Sequence, residues 1–406
     1  MPPTTPAALP HPTRSGRSGR TARTAATGSG GRAPLPLRAW RAVGPALGVY
    51  AGALALHLWL LDALARPGTP LTDRLTAWDG KHFLEIAADG YPAAFSHDAS
   101  GALTGNNLAF FPLYPMLVRL VHALTGLDPA PAAILTAHLA TLAALVLVHR
   151  LVEELYARTA ATAVLVLLAA AQPMSLVFFM GYSESLFLAL AAGTLLAAHR
   201  RAWSWAGPCA FLAGLTRPAG VAVVAALAVA ALLELRRERR WSAPPLLATA
   251  LACTGTPLYL CWVGARLGTA DAWFTVQGAG WGTRWDWGAS LWTFLTGALE
   301  RGDGWVPVSV ALLVLAHLLA LGLAVRRTTW PPLLVYGALV VVLTLCQSNY
   351  YHSKPRLLAP ALVVLVPIAL ALARARTSTR IAVLAAAALF GCWYGAHLLA
   401  VWPYTV

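Results

Sequence analysis

Charge is scarce in this chain. Asp, Glu, Lys and Arg make up 11% of its 406 residues, against about 25% in soluble domains, while 58% are hydrophobic and the mean hydropathy is +0.63. That balance excludes an ordinary soluble domain. Lysine is nearly missing: Lys81 and Lys354 stand against 28 arginines. Cysteine is sparse too. Cys209, Cys253, Cys261, Cys346 and Cys392 lie in or beside apolar runs, without Cys-x-x-Cys or Cys/His spacing, so they read as small packing residues and not as zinc ligands. There is no P-loop and no Rossmann glycine pattern, which argues against a soluble nucleotide donor or ATP drive. No cofactor is expected, and a divalent metal is left open.

What is present is long apolar runs. A bilayer crossing takes about 20 apolar residues, and about eleven segments approach that: near 42–64, 131–149, 160–180, 183–199, 203–216, 218–235, 244–265, 304–325, 331–347, 356–373 and 380–401. The runs are long and unalternating, which excludes a closed barrel. The expectation is an all-α polytopic membrane protein. Segment 109–126 is apolar but broken early by Pro112 and Pro115, which suggests a re-entrant or interfacial helix within a first loop spanning 66–130. Residues 1–36, rich in Pro, Thr, Ser, Gly and Arg without apolar period, read as a disordered basic tail. The tail has no signal-peptide core near its start and is expected to stay in the cytoplasm.

Charge orients these spans. With the tail inside, the inner segments hold twenty of the thirty basic residues and four of the sixteen acids, a net of +16; the outer side holds ten bases and twelve acids, a net of −2. The pI near 10.2 therefore follows from the positive-inside rule, and no nucleic-acid partner is expected. The same assignment gathers the polar motifs on the outer face. They are the run 77–91 with Asp79, Lys81, His82, Glu85 and Asp89; Gly181-Tyr182-Ser183-Glu184-Ser185; Thr216-Arg217-Pro218; the Trp-rich stretch 266–303; and Asn349-Tyr350-Tyr351-His352-Ser353-Lys354-Pro355-Arg356.

Carboxylates, cations and aromatics on one membrane face suit a sugar carried on a polyprenyl phosphate. The phosphate needs charge-assisted donors; the acceptor hydroxyl needs a carboxylate to take its proton. Asp79 is either such a base or a helix N-cap, and Trp78 beside it offers a face for a sugar ring. Glu184 is a site acid or a helix-start acid favoured by the dipole. Arg217 and Arg356 stand at span ends, as phosphate donors or as snorkelling side chains. Lys81, His82, His352 and Lys354 are further candidate phosphate ligands. Gln277 and Trp281 lie in a stretch that either covers a sugar site or rests at the headgroups. No constellation of metal ligands stands out.

Together the motifs resemble the PIG-V family of mannosyltransferases, within the GT-C membrane glycosyltransferases. The matching residues are Trp78-Asp79-Gly80 with Phe83, Ile86-Ala87 and Gly90-Tyr91; Ala109-Phe110-Phe111-Pro112-Leu113-Tyr114-Pro115; Tyr182-Ser183-Glu184-Ser185-Leu186-Phe187; and Thr216-Arg217-Pro218-Ala219-Gly220. Gln277 with Trp281, and Lys354-Pro355-Arg356-Leu357-Leu358-Ala359-Pro360, match more weakly. The Ala-rich, Arg-over-Lys composition suggests a bacterial member. The resemblance implies one GT-C-like domain over 37–406, an inverting transfer of mannose from a polyprenyl-phosphate donor, and a glycolipid or protein acceptor. It also implies Asp79 as the base, an outer-face site in the plasma membrane, and no metal requirement. The same fold with another polyprenyl-linked sugar, or a polyprenyl-phosphate or glycolipid transporter without chemistry, are the alternatives.

Overall fold

In a computed structural model, residues 35–65, 68–239, 241–302 and 304–402 are described, 35–42 by backbone only. The basic tail up to residue 34 lies outside the described residues, as does Arg240; Leu35 and Pro36 already belong to the first helix.

Eighteen α-helices are described. They are α1 (Leu35–Leu64), α2 (Leu71–Leu75), α3 (Asp79–Asp89), α4 (Leu113–Thr125), α5 (Pro129–Leu155), α6 (Arg158–Val166), α7 (Glu184–His199), α8 (Trp203–Gly214), α9 (Gly220–Glu238), α10 (Ala243–Ala252), α11 (Gly255–Leu267), α12 (Ala272–Trp281), α13 (Ala289–Arg301), α14 (Trp305–Arg327), α15 (Pro331–Leu345), α16 (Lys354–Leu358), α17 (Leu365–Arg374) and α18 (Thr377–Ala400). Two antiparallel ribbons decorate the bundle: β1 (Ser96–His97) with β2 (Leu103–Thr104), and β3 (Arg284–Trp285) with β4 (Gln347–Ser348).

All eleven expected segments fall on helical structure. Five stretches are long and apolar enough to cross a membrane: Val43–Leu64, Pro129–Leu155, Ala243–Leu267, Trp305–Arg327 and Thr377–Ala400. A sixth follows if Tyr351–Leu358 and Leu362–Arg374, bent by 80°, form one span. While α9 is 19 residues long but ends in charged residues, most of the others are shorter or interrupted. Segment 160–180 is the clearest case: α6 gives way to a π-helical turn at Leu167–Ala171 and then breaks at Gln172-Pro173, since proline cannot donate to the helix ladder. The carbonyls left over belong to buried residues and need partners within the protein. Neighbouring helices answer them: His57 Nε2 lies 3.0 Å from the Ala169 carbonyl, and His138 Nε2 3.1 Å from that of Phe179.

Helix α5 packs on α7, α7 on α8, and α8 on α10, while α1 pairs with α18 and α9 with α15. Without water to drive helices together, close backbone approach through small residues holds such bundles. At Gly207 on α8 an added Cβ would lie 2.8 Å from the Cα of Ala248 on α10. The stretch between α1 and α5 folds as α2, α3, the β1–β2 ribbon and α4. Helix α4 is 13 residues long, about 20 Å, too short for a hydrocarbon core of about 30 Å. It buries Tyr114, Pro115 and Val118 and leaves Leu120 and Leu124 exposed, the two-faced pattern of a helix lying along a surface. The Trp-rich stretch is not an open loop; it folds as α12, β3 and α13.

Candidate active site

The site begins at a strained turn. Trp78 has φ 57° and ψ −117°, the first central position of a type II′ turn, where glycine is usual. The Gly80 N–H closes the turn onto the Ala77 carbonyl at 3.1 Å. The Tyr182 hydroxyl donates to the same carbonyl at 2.9 Å, and the Gly181 N–H donates to Leu75 O at 2.8 Å. These bonds clamp the start of α3 to the start of α7. Asp79, one past the N-cap position that Trp78 occupies, is thus the first residue of α3.

It meets Arg356, from α16 at the sharp bend. Arg356 Nη1 lies 2.7 Å from Asp79 Oδ2, and Nε lies 3.6 Å from Glu184 Oε1. The guanidinium also sits over the Tyr182 ring, 5.2 Å from its centre, a cation–π contact. Glu184 opens α7, and its other oxygen pairs with Arg217 Nη1 at 2.7 Å; Arg217 Nη1 further donates to Ser183 Oγ at 3.1 Å. The result is an alternating chain: Asp79, Arg356, Glu184, Arg217. Glu184 is 1% exposed, Arg217 16% and Asp79 22%, so the ionic chain is buried at Glu184 and more open at either end, Asp79 most of all.

That end faces a cavity of about 440 Å³, within the usual range of small-ligand sites. Asp79, Arg217 and Arg356 line it, along with Gln277 and Trp281. Phe110, Trp273, Leu260, Val340 and Leu343 supply apolar walls, and Arg284, Asn349 and Tyr350 stand along another part. Gln277 Nε2 donates to the Ala109 carbonyl at 3.0 Å, so it also fixes the turn that presents Phe110.

The remaining candidates lie outside the lining. Trp78 is partly exposed beside Asp79, and Lys81 is exposed on α3. His82 is half-buried, with Nδ1 2.8 Å from Asn107 Oδ1. It stacks on Phe110 at 4.7 Å and so backs the aromatic wall. His352 is buried and stacks on Tyr350 at 5.5 Å. Lys354 is buried, and its three ammonium donors reach Thr344 O at 3.1 Å, Gln347 O at 2.9 Å and Asn349 Oδ1 at 2.9 Å. An ammonium has three donors; here all are taken, and they peg β4 in place. Among the described residues, no group of three or more His, Cys, Asp or Glu gathers to hold a metal ion.

Arg284 is the charged lining residue that the sequence motifs did not flag. Its one signal is a lone cation next to Trp285 in an aromatic stretch. The carboxylate–guanidinium pairings were also illegible, because the partners come from distant elements.

By sequence, no family model and no curated protein matches the chain. Solved structures do match in fold. ArnT from Cupriavidus metallidurans, bound to undecaprenyl phosphate, aligns with a TM-score of 0.50 at 17% identity over 85% of this chain and 63% of that one. Its apo form aligns with a TM-score of 0.50 at 16% identity, over 85% and 61%. The apo Archaeoglobus fulgidus oligosaccharyltransferase gives 0.49 at 12% identity, over 87% and 56%. The chain therefore spans less than two thirds of the length of ArnT. The architecture is that of a multi-pass helical membrane protein. More narrowly, it is a GT-C-like fold, the class expected from the sequence.

Proposed function

We propose that this chain is an inverting membrane glycosyltransferase that moves mannose from a polyprenyl-phosphate donor to a hydroxyl of a glycolipid or protein acceptor. The observation that carries this reading is the cavity itself. One carboxylate and two guanidiniums, all tied into a single ionic chain, open into a space with aromatic and aliphatic walls. ArnT, whose fold this chain shares, has been seen with undecaprenyl phosphate, a ligand of the proposed donor's kind.

Asp79 Oδ2 is engaged by Arg356, which leaves Oδ1 for the acceptor. As the acceptor oxygen attacks the anomeric carbon, its proton passes to Asp79. The bond between that carbon and the phosphate oxygen breaks, and polyprenyl phosphate departs with the electron pair. Arg356 and Arg217 stabilise the anion, since preorganised donors in a dry site act most strongly where charge develops. Attack opposite the leaving group turns a β-linked donor into an α-linked product. Glu184 keeps the two guanidiniums in register. Lys354 and His82 support the walls. The charge asymmetry of the sequence favours a cytoplasmic N-terminus and an extracytoplasmic site in the plasma membrane.

The test is transfer of label from mannosyl-phospho-polyprenol into a membrane lipid extract by purified protein in lipid, run beside glucosyl and arabinosyl donors. Label moving from the mannosyl donor supports the reading. Transfer only from another donor keeps the enzyme and removes mannose. Donor crossing the bilayer without any new glycosidic bond would favour transport.

A further inference from the structure

Three guanidiniums line the cavity, and two are already committed. Arg356 is 2.7 Å from Asp79, and Arg217 is 2.7 Å from Glu184. Arg284 is different: it lines the same cavity, is exposed, and among the described residues has no ion-pair partner. Its neighbour Asp286 makes no ion pair with it among the described residues, its carboxylate oxygens being taken up locally by backbone N–H groups. The Ser290 hydroxyl, together with the backbone N–H groups of Ser290 and Gly288, holds the Asp286 carboxyl below the usual carboxylate range. Those N–H groups donate at 2.9 Å each, at the start of α13.

The backbone carrying Arg284 is fixed. Strand β3 pairs with β4 in the register Arg284 to Ser348 and Trp285 to Gln347. The Arg284 N–H donates to Ser348 Oγ at 3.0 Å, and Ser348 Oγ donates to Gly282 O at 2.8 Å. Lys354 holds the Gln347 carbonyl from beneath. A guanidinium with an anchored backbone and a free head loses little on binding an oxyanion, and it breaks no existing pair to do so.

We infer that Arg284 is the residue that captures the phosphate of the lipid-linked donor, an organic phosphate ester on a long apolar chain. This rests on the glycosyltransferase reading above and adds to it a ligand for the ground state. A sugar-phosphate diester carries one negative charge, which a single free guanidinium balances. Only when the sugar leaves does the phosphate gain further charge, which Arg356 and Arg217 then meet. Thr283 and Trp285 flank Arg284 along the cavity, and Asn349 and Tyr350 line it as well. The aliphatic wall of Leu260, Val340 and Leu343 suits the prenyl chain.

The experiment is equilibrium binding of radiolabelled undecaprenyl phosphate to the full chain in nanodiscs, with neutral undecaprenol as the comparison ligand. Wild type, Arg284→Gln and Arg284→Lys are measured, and Arg380→Gln, at the distant start of α18, serves as control. Arg284→Gln is expected to raise the Kd for the phosphate by about tenfold or more. Undecaprenol binding stays level, Arg284→Lys restores part of the loss, and Arg380→Gln changes nothing. A phosphate preference in wild type that survives intact in Arg284→Gln overturns the assignment of Arg284 alone. No phosphate preference in wild type removes the donor reading, and this assignment with it.

Discussion

Glu184 is the buried joint of the ionic chain, and replacing it by glutamine gives the sharpest structural test. Its carboxylate sits 2.7 Å from one guanidinium and 3.6 Å from another while only 1% exposed. At an effective dielectric near 20, unit charges at those separations attract by about 6 and about 5 kcal/mol. Part of that sum is offset because the variant no longer desolvates a carboxylate. What remains is Arg356 paired with Asp79 and Arg217 left without its carboxylate, and breaking such buried pairs costs about 3–5 kcal/mol. For a chain of this length, that lowers a thermal midpoint by about 5 °C. The assay is the unfolding midpoint in a fixed detergent and at a fixed scan rate, with exposed Glu300→Gln as comparison. The double variant Glu184→Gln/Arg217→Gln should lose less than the sum of the two single changes, because removing Arg217 relieves part of the uncompensated charge. A Glu184→Gln protein that melts with wild type would refute the claim that this chain holds α7, α16 and the Arg217 turn together.

Two further outcomes are expected. Trp78→Gly removes a side chain from a φ of 57°, a strain of about 1–3 kcal/mol. The midpoint should hold or rise, while the donor KM rises if the indole face meets the sugar; a lower midpoint would mean the ring packs more than it strains. Lys354→Met strands two carbonyls and an amide oxygen, at about 1–3 kcal/mol for each buried group left unpaired. The β3–β4 ribbon should then loosen, read as faster hydrogen exchange over 282–288 and 346–349, and unchanged exchange there would contradict the pegging role.

The sequence made the site's ingredients visible for a physical reason. In a chain with 11% charged residues, Asp79, Glu184, Arg217 and Arg356 stand out because an ion at such depth is expensive and needs a partner or a task. All four meet in the structure. Who pairs with whom was not legible, since α3, α7 and α16 are brought together by packing and not by spacing. Lys354 shows the opposite failure. It sits in the most polar motif of the C-terminal half, yet its ammonium serves three oxygens of its own fold. The apolar run 160–180 concealed a break because hydropathy does not register the dihedral restriction at Pro173, nor the histidines that answer the freed carbonyls. Arg284 escaped notice because its meaning depends on what it lacks, a carboxylate partner, and that shows only in three dimensions.

The most direct measurement compares wild type with Asp79→Asn in label transfer from mannosyl-phospho-polyprenol, with binding of undecaprenyl phosphate measured on the same preparations. Asparagine keeps the shape beside Arg356 and loses the capacity to take a proton. The account predicts that transfer falls by at least the 10²–10⁴-fold typical of general bases while undecaprenyl phosphate still binds. Equal transfer by the two proteins would contradict Asp79 as the base.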